Sequence, residues 1–485
     1  MRRNVLLRKV RLENFLCFGP DSHAIKMQAL NVILGRNGGG KSSFIDAIEL
    51  LRCAPDEQAF TKVIQRIEDP SDWLYKGTDE AKPATLKFEL TNVDEGTKGE
   101  YPKLRYSISL MTEGARLIIA EESLVGIRGT EEDKDDSTED EWDEDDNNED
   151  DECDEDVDEE SENEEGKYDE NVDYEGENDE SENDEGEYDK DIDDESGNDE
   201  GEYDEVDDSK DNDNEDEIEC YIFFASNSGN PLVRRDNELV EAGDDKPGPG
   251  QTCLSYYTDP KRYPVITSLA REIAKTKIYR NWSFGYGTAI RKDSPIDMPS
   301  DCLLEDFSNL PIMLDKLIQA GFKPDIKEHL RHFYVDTADF LVKSEKGRAK
   351  IYLQERPLGS PISNLSDGIF RFLAVLCILF NPDLPPIVCI EQPELGLHPN
   401  IMATVGRIMK KVLKPPADCA MIVTTYSTEL VDSLTRTPDD VLVCDKFGNG
   451  TQIERLIEDK LYLDDETRLG ALWINDTIGG NLWAY

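Results

Sequence analysis

Gly35-Arg-Asn-Gly-Gly-Gly40-Lys41-Ser42 follows an apolar run (Ala29, Leu30, Val32, Ile33, Leu34) and precedes Phe44, Ile45, Ala47, Ile48, Leu50 and Leu51, spaced as one helical face. Strand, glycine-rich turn and helix in that order are the context in which such an octapeptide cradles phosphate. The glycines let backbone amides close around β- and γ-phosphates, Lys41 adds a point charge, and Ser42 offers a hydroxyl to Mg²⁺. The expected nucleoside triphosphate site comprises Gly35, Asn37, Gly38, Gly39, Gly40, Lys41, Ser42 and Ser43.

Working outward, residues 5–34 read as strands: Lys9–Asn14, Ala24–Met27 and the run before the loop. Three alternating stretches follow, Ala84–Thr91, Leu104–Met111 and Ala115–Glu121, separated by Gly, Lys and Glu turns, which predicts an antiparallel sheet. Cys220–Ala225 resumes as a strand. Residues 260–345 read as helical, with apolar spacing of three and four over Val265–Thr276, Asn309–Ala320 and Ile326–Phe333, and residues 349–354 as a short strand. An almost wholly apolar helix over 369–380 must be buried on most sides.

Of 485 residues carrying a net charge of −55, residues 131–220 hold 54 acids and four lysines, a net of −50. The remainder is therefore only mildly acidic, with no basic run that reads as a nucleic-acid stripe. The acidic stretch has almost no aliphatic residues, and Asn183–Asp189 recurs imperfectly at Asn198–Asp204. It cannot bury enough apolar area to offset chain ordering, so a disordered loop is expected between two strands of one sheet. It would serve as a solvated, solubilising insertion, or as a polyanion that competes for basic surfaces and reaches beyond ~50 Å. Asp189-Lys-Asp-Ile-Asp-Asp194 lacks the glycine that a calcium loop needs at its sixth position.

The ten cysteines show neither C-x-x-C pairs nor zinc spacing and read as reduced buried thiols. The longest apolar stretch, Phe372–Phe380, is too short to span a bilayer, and the first residues lack a signal-peptide core. A cytoplasmic location without a membrane partner is expected.

Two further buried strands, Ile387–Ile390 and Met421–Thr424, end in polar residues, as parallel strands do where they present functional groups at a carboxyl edge. In Ile387-Val-Cys-Ile-Glu391-Gln392-Pro-Glu394, Glu391 is the candidate acid for Mg²⁺. Asn364-Leu-Ser366-Asp367-Gly368 supplies a hydroxyl and free amides where the buried helix begins, an anion site in type. His23, His329 and His332 belong to no constellation and read as surface or packing residues.

These segments resemble the ABC-type ATPases of the RecF, SMC and OLD group, and more narrowly the "predicted ATPase" AAA-domain proteins of bacteria. Arg11–Phe15, the phosphate loop, Tyr279-Arg-Asn-Trp282-Ser-Phe284, Leu303–Asp306 and Leu365–Gly368 carry the resemblance. So do Glu391–Pro399, Thr424-Thr-Tyr-Ser427 and Leu469–Trp473. It implies an α/β fold of the ABC-type P-loop NTPase, with a mixed, largely parallel sheet, an antiparallel β subdomain, a helical lid region and the acidic insert. The matching domain plan is 1–130 for the first part of the ATPase, 131–218 for the insert, 219–345 for the end of the β subdomain and the helical lid, and 346–485 for the second part.

The resemblance also implies ATP, with Mg²⁺ on Ser42 and Glu391, clasped between two copies. Ser366, Asp367 and Gly368 of one copy would cap the γ-phosphate held by Lys41 of the other. Two positions depart from the family pattern. A second acid usually follows the Mg²⁺-binding residue, where this chain has Gln392, and a histidine usually follows the last strand, where it has Tyr426. An amide orients water but accepts a proton poorly, and a phenol with a pKa of about 10 is not a base at neutral pH. Positioning and charge stabilisation dominate phosphoryl transfer, so slow hydrolysis with ATP binding retained is expected, with Glu394 the candidate to stand in. His398 reads as structural, in the turn after the Mg²⁺ strand.

The 58 residues after Ser427 are too few for the nuclease domain that OLD-type relatives carry there, and no sustained heptads mark an SMC-like rod. Two functions remain. One is a stand-alone ATPase, homodimeric on ATP, that regulates an effector protein or acts in DNA repair or defence, with nucleic acid unsupported by charge. The other is a non-hydrolysing ATP-binding module whose acidic loop mimics DNA toward a basic partner.

Overall fold

Residues 30–35, 387–391 and 420–425 are apolar at nearly every position, and each forms a strand hidden on both faces. They become β3 (Leu30–Gly35), β15 (Ile387–Glu391) and β16 (Ala420–Thr425), with strands numbered in chain order. With β10 (Lys277–Tyr279) and β17 (Val441–Phe447) they make a parallel sheet in the order β10-β15-β16-β3-β17. The antiparallel β18 (Gly450–Arg455) closes its edge.

In the computed structural model the described residues are 5–78, 82–128, 220–227, 231–235, 238–248, 250–285, 287–334, 337–355, 359–361, 366–414, 417–458, 461 and 467–478. They belong to one unit formed by Met1–Thr138 and Ile218–Tyr485. The acidic stretch expected over 131–218, including the second unit Glu139–Glu217, lies outside the described residues.

A second sheet has eight antiparallel strands. Its members are β1 (Leu7–Glu13), β2 (Ile25–Lys26), β4 (Ala84–Thr91), β5 (Lys103–Glu113) and β6 (Arg116–Ile127). Beyond the acidic stretch come β7 (Cys220–Asn227), β8 (Leu232–Arg235) and β9 (Glu238–Glu241), giving the order β2-β1-β4-β5-β6-β7-β8-β9. Ile127 pairs with Cys220, so the strands on either side of the acidic stretch are neighbours in one sheet, as their alternation implied. A small third sheet holds β11 (Ser294–Pro295), β12 (Thr337–Glu345), β13 (Arg348–Glu355) and β14 (Gly359–Pro361).

The helices are α1 (Lys41–Cys53), α2 (Glu57–Ile64), α3 (Cys253–Tyr256), α4 (Pro264–Ile273) and α5 (Leu310–Gln319). The rest are α6 (Lys323–Phe333), α7 (Asp367–Leu379), α8 (Pro399–Val412), α9 (Thr428–Asp432) and α10 (Leu469–Ile474). The helical reading of 260–345 needs correction: 277–279, 294–295 and 337–345 are strands.

Strand period decides how the layers stack. Ile33, Ile387, Cys389, Ala420, Ile422, Leu442 and Cys444 point to one side, where α1 packs with Phe44, Ile48 and Leu51 against the antiparallel sheet. Val32, Leu34, Val388, Ile390, Met421 and Val423 point to the other, where α7 packs. Every residue of α7 from Ile369 to Leu379 is buried, which answers a sequence apolar at every one of those positions but Arg371. The parallel sheet is thus a central layer, and its carboxyl edge is where Glu391 and the phosphate loop emerge. No helix among the described residues is long and apolar enough to cross a membrane. The eight cysteines whose side chains are described are free thiols.

Candidate functional site

Register brings the site together. β15 and β16 pair Glu391 with Thr424, β16 and β3 pair Thr425 with Leu34, and β3 and β17 pair Gly35 with Cys444. The acid strand, the Thr-Tyr strand and the phosphate-loop strand therefore end level with one another.

The loop turns through Gly38 (φ 75°) and Gly40 (φ 115°) before α1 begins at Lys41. Left-handed backbone favours glycine, and space forbids anything larger at Gly40. A Cβ there would lie 2.6 Å from Thr451 Cγ2 and 2.9 Å from Cys17 Sγ. The β17–β18 hairpin buttresses the loop from beneath: Thr451 Oγ1 (2.8 Å) and Cys444 Sγ (3.2 Å) both donate to the carbonyl of Gly39. Arg36, Asn37 and Gly38 are exposed at the rim, with Ser43 half-buried one residue into the helix beyond Ser42.

Lys41 is buried, and its Nζ donates to the carbonyls of Gly35 (2.6 Å) and Arg36 (2.9 Å). The ring of Tyr426 covers it, centroid 3.9 Å away. Burial draws its pKa below the ordinary ammonium range, opposed by Cys444, Glu394 and Glu391. Ser42 Oγ donates to Glu391 Oε1 at 2.5 Å. A hydroxyl and a carboxylate oxygen converging in this way are hard donors of the kind that Mg²⁺ takes beside phosphate.

Glu391 is held from two further directions. Arg280 Nε donates to its Oε2 (3.0 Å), and Trp282 Nε1 donates to its backbone carbonyl (2.6 Å). Immediately afterwards Gln392 adopts φ 50°, its N–H donating to the carbonyl of Thr424 (2.9 Å). The chain thereby turns back and delivers Glu394, whose Oε1 accepts from the backbone N–H of Tyr426 at 2.6 Å. Burial raises the Glu394 pKa against the backbone donors and Lys41, and its Oε2 is buried with no hydrogen-bond partner. Both candidate acids therefore lie close enough to Lys41 to act on its charge.

Ser366 caps α7 through its backbone, and its side chain makes no capping bond. Ser366 and Asp367 are exposed, Asp367 pairs with Arg291, and Gly368 is half-buried. Among the described residues none of the three bonds to the phosphate loop of its own chain. His398 caps α8, its Nδ1 accepting from the N–H of Asn400 at 3.2 Å. His329 stacks against Phe380.

Sequence reasoning assigned no role to Arg280, Trp282, Cys444 or Thr451. Arg280 follows β10, a strand too short to show alternation. Cys444 and Thr451 reach the loop only because β17 pairs with β3.

A family model described as "AAA domain, putative AbiEii toxin, Type IV TA system" matches residues 30–236 and 347–432, spans that include the phosphate loop, Ser366–Gly368, Glu391 and Tyr426. The "DNA double-strand break repair Rad50 ATPase" of Sulfolobus acidocaldarius is 31% identical over 123 residues, 24% of this chain and 12% of that relative's length. Among solved structures, an Smc head bound to the C-winged helix domain of ScpA matches 94% of this chain and 99% of its own, at 12% identity and a TM-score of 0.45. An Smc head with an extended coiled coil, bound to the C-terminal domain of ScpA derived from Pyrococcus furiosus, matches 98% and 99% at 11% identity and a TM-score of 0.44. The SMC head domain from Thermotoga maritima follows at 10% identity and a TM-score of 0.37, covering 93% of this chain and 99% of that one.

Proposed function

The chain belongs to the family described as AAA domain, putative AbiEii toxin, Type IV TA system, and from that premise we propose an ATPase whose two copies clasp ATP and Mg²⁺ between them. Lys41 and the loop amides hold the phosphates, Ser42 and Glu391 hold the metal, and Ser366–Gly368 of the second copy complete the site. Bound there, Mg²⁺ would offset phosphate charge. One observation carries this reading: Ser42 donates to Glu391, 349 residues away in sequence, beside a buried Lys41. The exposed Ser366, whose side chain makes no capping bond at the head of α7, supports the second half.

Hydrolysis is slow in this scheme, because Gln392 and Tyr426 stand where an acid and a histidine would assist the attacking water. Closing and reopening of the pair then switches an effector protein, or serves DNA repair or defence. The ring of Tyr426 over Lys41 favours a second reading, an ATP-binding module that does not turn over.

Phosphate release under steady state, compared with Lys41→Ala, separates the two. Release above that control supports the ATPase, and release equal to it supports the binding module. Mass photometry with and without ATP tests the clasp. Two-chain particles should form with ATP in the wild type and not in Lys41→Ala, and a mass indifferent to ATP refutes the pairing.

A further inference from the structure

β10 contributes three residues to the edge of the parallel sheet, pairing Tyr279 with Ile390. That register brings the next residue, Arg280, out beside Glu391. Its guanidinium serves two elements at once. Nε donates to Glu391 Oε2 (3.0 Å), while Nη1 donates to Asp46 Oδ1 (2.8 Å) and Glu49 Oε2 (2.9 Å), both on α1. α1 is the helix that carries Ser42 in its first turn, with Asp46 one turn further on. The side chains of Arg280, Glu391, Asp46 and Glu49 are 18%, 12%, 17% and 14% exposed, so water screens these pairs poorly.

We propose that Arg280 is a positioning residue that bolts the Glu391 strand to the Ser42 helix and so sets the metal requirement of nucleotide binding. The inference rests on the nucleotide site described above and adds to it which residue tunes the metal. A glutamate on a strand end has three free torsions, and its two oxygens would exchange places. Arg280 occupies Oε2, which leaves Oε1 facing the Ser42 hydroxyl. The indole of Trp282, two residues later, fixes the Glu391 carbonyl and hence the backbone from which that side chain springs. Arg66 and Arg52 also pair with Glu49, and Arg66 with Asp46, so the far ends of the Arg280 contacts are anchored. A guanidinium is always protonated in proteins, so the clamp carries its charge at every working pH.

Outer-shell partners of this kind typically shift metal affinity by about 10–100-fold when removed. The test is fluorescence anisotropy of an N-methylanthraniloyl ATP analogue, titrated with MgCl₂ and, separately, bound in EDTA. For Arg280→Gln the Mg²⁺ concentration giving half-maximal binding should rise by about tenfold or more, while binding in EDTA matches the wild type. Trp282→Phe, which keeps the ring and removes the donor, should shift the same midpoint less. Arg280→Lys should fall between wild type and Gln, because one ammonium cannot reach three carboxylates in the guanidinium's fork.

An unchanged Mg²⁺ midpoint in Arg280→Gln overturns the clamp, as does a parallel loss of binding in EDTA by a variant that melts like the wild type. If Arg280→Gln does not fold, Arg280→Lys and Trp282→Phe decide by the same midpoint. A wild type that binds no nucleotide in either buffer overturns the parent reading and this one together, whereas binding with a metal midpoint insensitive to all three variants overturns the clamp alone.

Discussion

Replacing Tyr426 by alanine should tighten nucleotide binding, an unusual direction for a residue at the heart of a site. The three protons of the Lys41 ammonium have places to go within the chain: two carbonyls, Gly35 and Arg36, and the face of the Tyr426 ring. Phosphate must compete with these. The carbonyls belong to the loop and remain in any variant, so the ring is the removable competitor. A cation over an aromatic face is stabilised by about 0.5–1 kcal/mol when exposed and about 2 kcal/mol when desolvated. Lys41 is 3% exposed and Tyr426 38%. About 1 kcal/mol is the appropriate figure, which corresponds to roughly a fivefold gain in affinity for Tyr426→Ala.

Isothermal titration of ATP into wild type, Tyr426→Ala and Tyr426→Phe measures the change. Phenylalanine keeps the ring face and should bind like the wild type. Weaker binding by the alanine variant would refute the reasoning, since the ring would then be part of the surface that holds nucleotide. Equal gains in both variants would refute it differently, by moving the competition from the ring to the hydroxyl.

Gln392→Glu combined with Tyr426→His should speed phosphate release relative to the wild type, and an unchanged rate would show that neither residue limits turnover. Stability should also depend on pH through Glu122, which is fully buried and accepts from the Tyr106 hydroxyl (2.7 Å) and the Cys253 N–H (2.8 Å). Burial raises its pKa from 4.5 to about 7. A carboxyl raised on folding contributes stability that is full below pH 4.5 and is lost as pH climbs through about 7, an interval worth about 3 kcal/mol. Denaturant midpoints from pH 5 to 8 should therefore fall more steeply for the wild type than for Glu122→Gln, and parallel curves would contradict the assignment.

Local pattern carried the central layer, because its strands are buried on both faces and its helix α7 is apolar at almost every position. The antiparallel strands were legible for the opposite reason, one wet face and one dry. β10 was not, since three residues cannot display a period, and only its pairing with β15 makes it a strand. With it went Arg280. β12 was missed within a region read as helical. Its strand character comes from the hairpin with β13, whose turn residues Lys346 and Gly347 both take positive φ (52° and 76°). Lys-Gly is a weaker turn signal than Asn-Gly, so the hairpin was hidden. At the site, Glu391 and Tyr426 at their strand ends were legible as candidates, but which oxygen faces which partner depends on register and on a single turn.

That turn is at Gln392. A non-glycine residue in the left-handed region costs about 1–2 kcal/mol, so something must hold it there. Three contacts do: Trp282 on the carbonyl before it, the Thr424 carbonyl on its own N–H, and Glu394 on the Tyr426 amide after it. The result is a reversal that brings two carboxylates three residues apart in sequence near one lysine. Glu391 reaches Lys41's neighbourhood through Ser42, and Glu394 reaches it through the strand that ends in Tyr426. The two acids are therefore not interchangeable. Glu391 is fixed by the Arg280 guanidinium and the Ser42 hydroxyl. Glu394 is buried, with one oxygen unpartnered and its pKa raised, and so is the one suited to accept a proton. If any group compensates for the amide at position 392, the backbone reversal that the amide itself occupies is what brings that group into place.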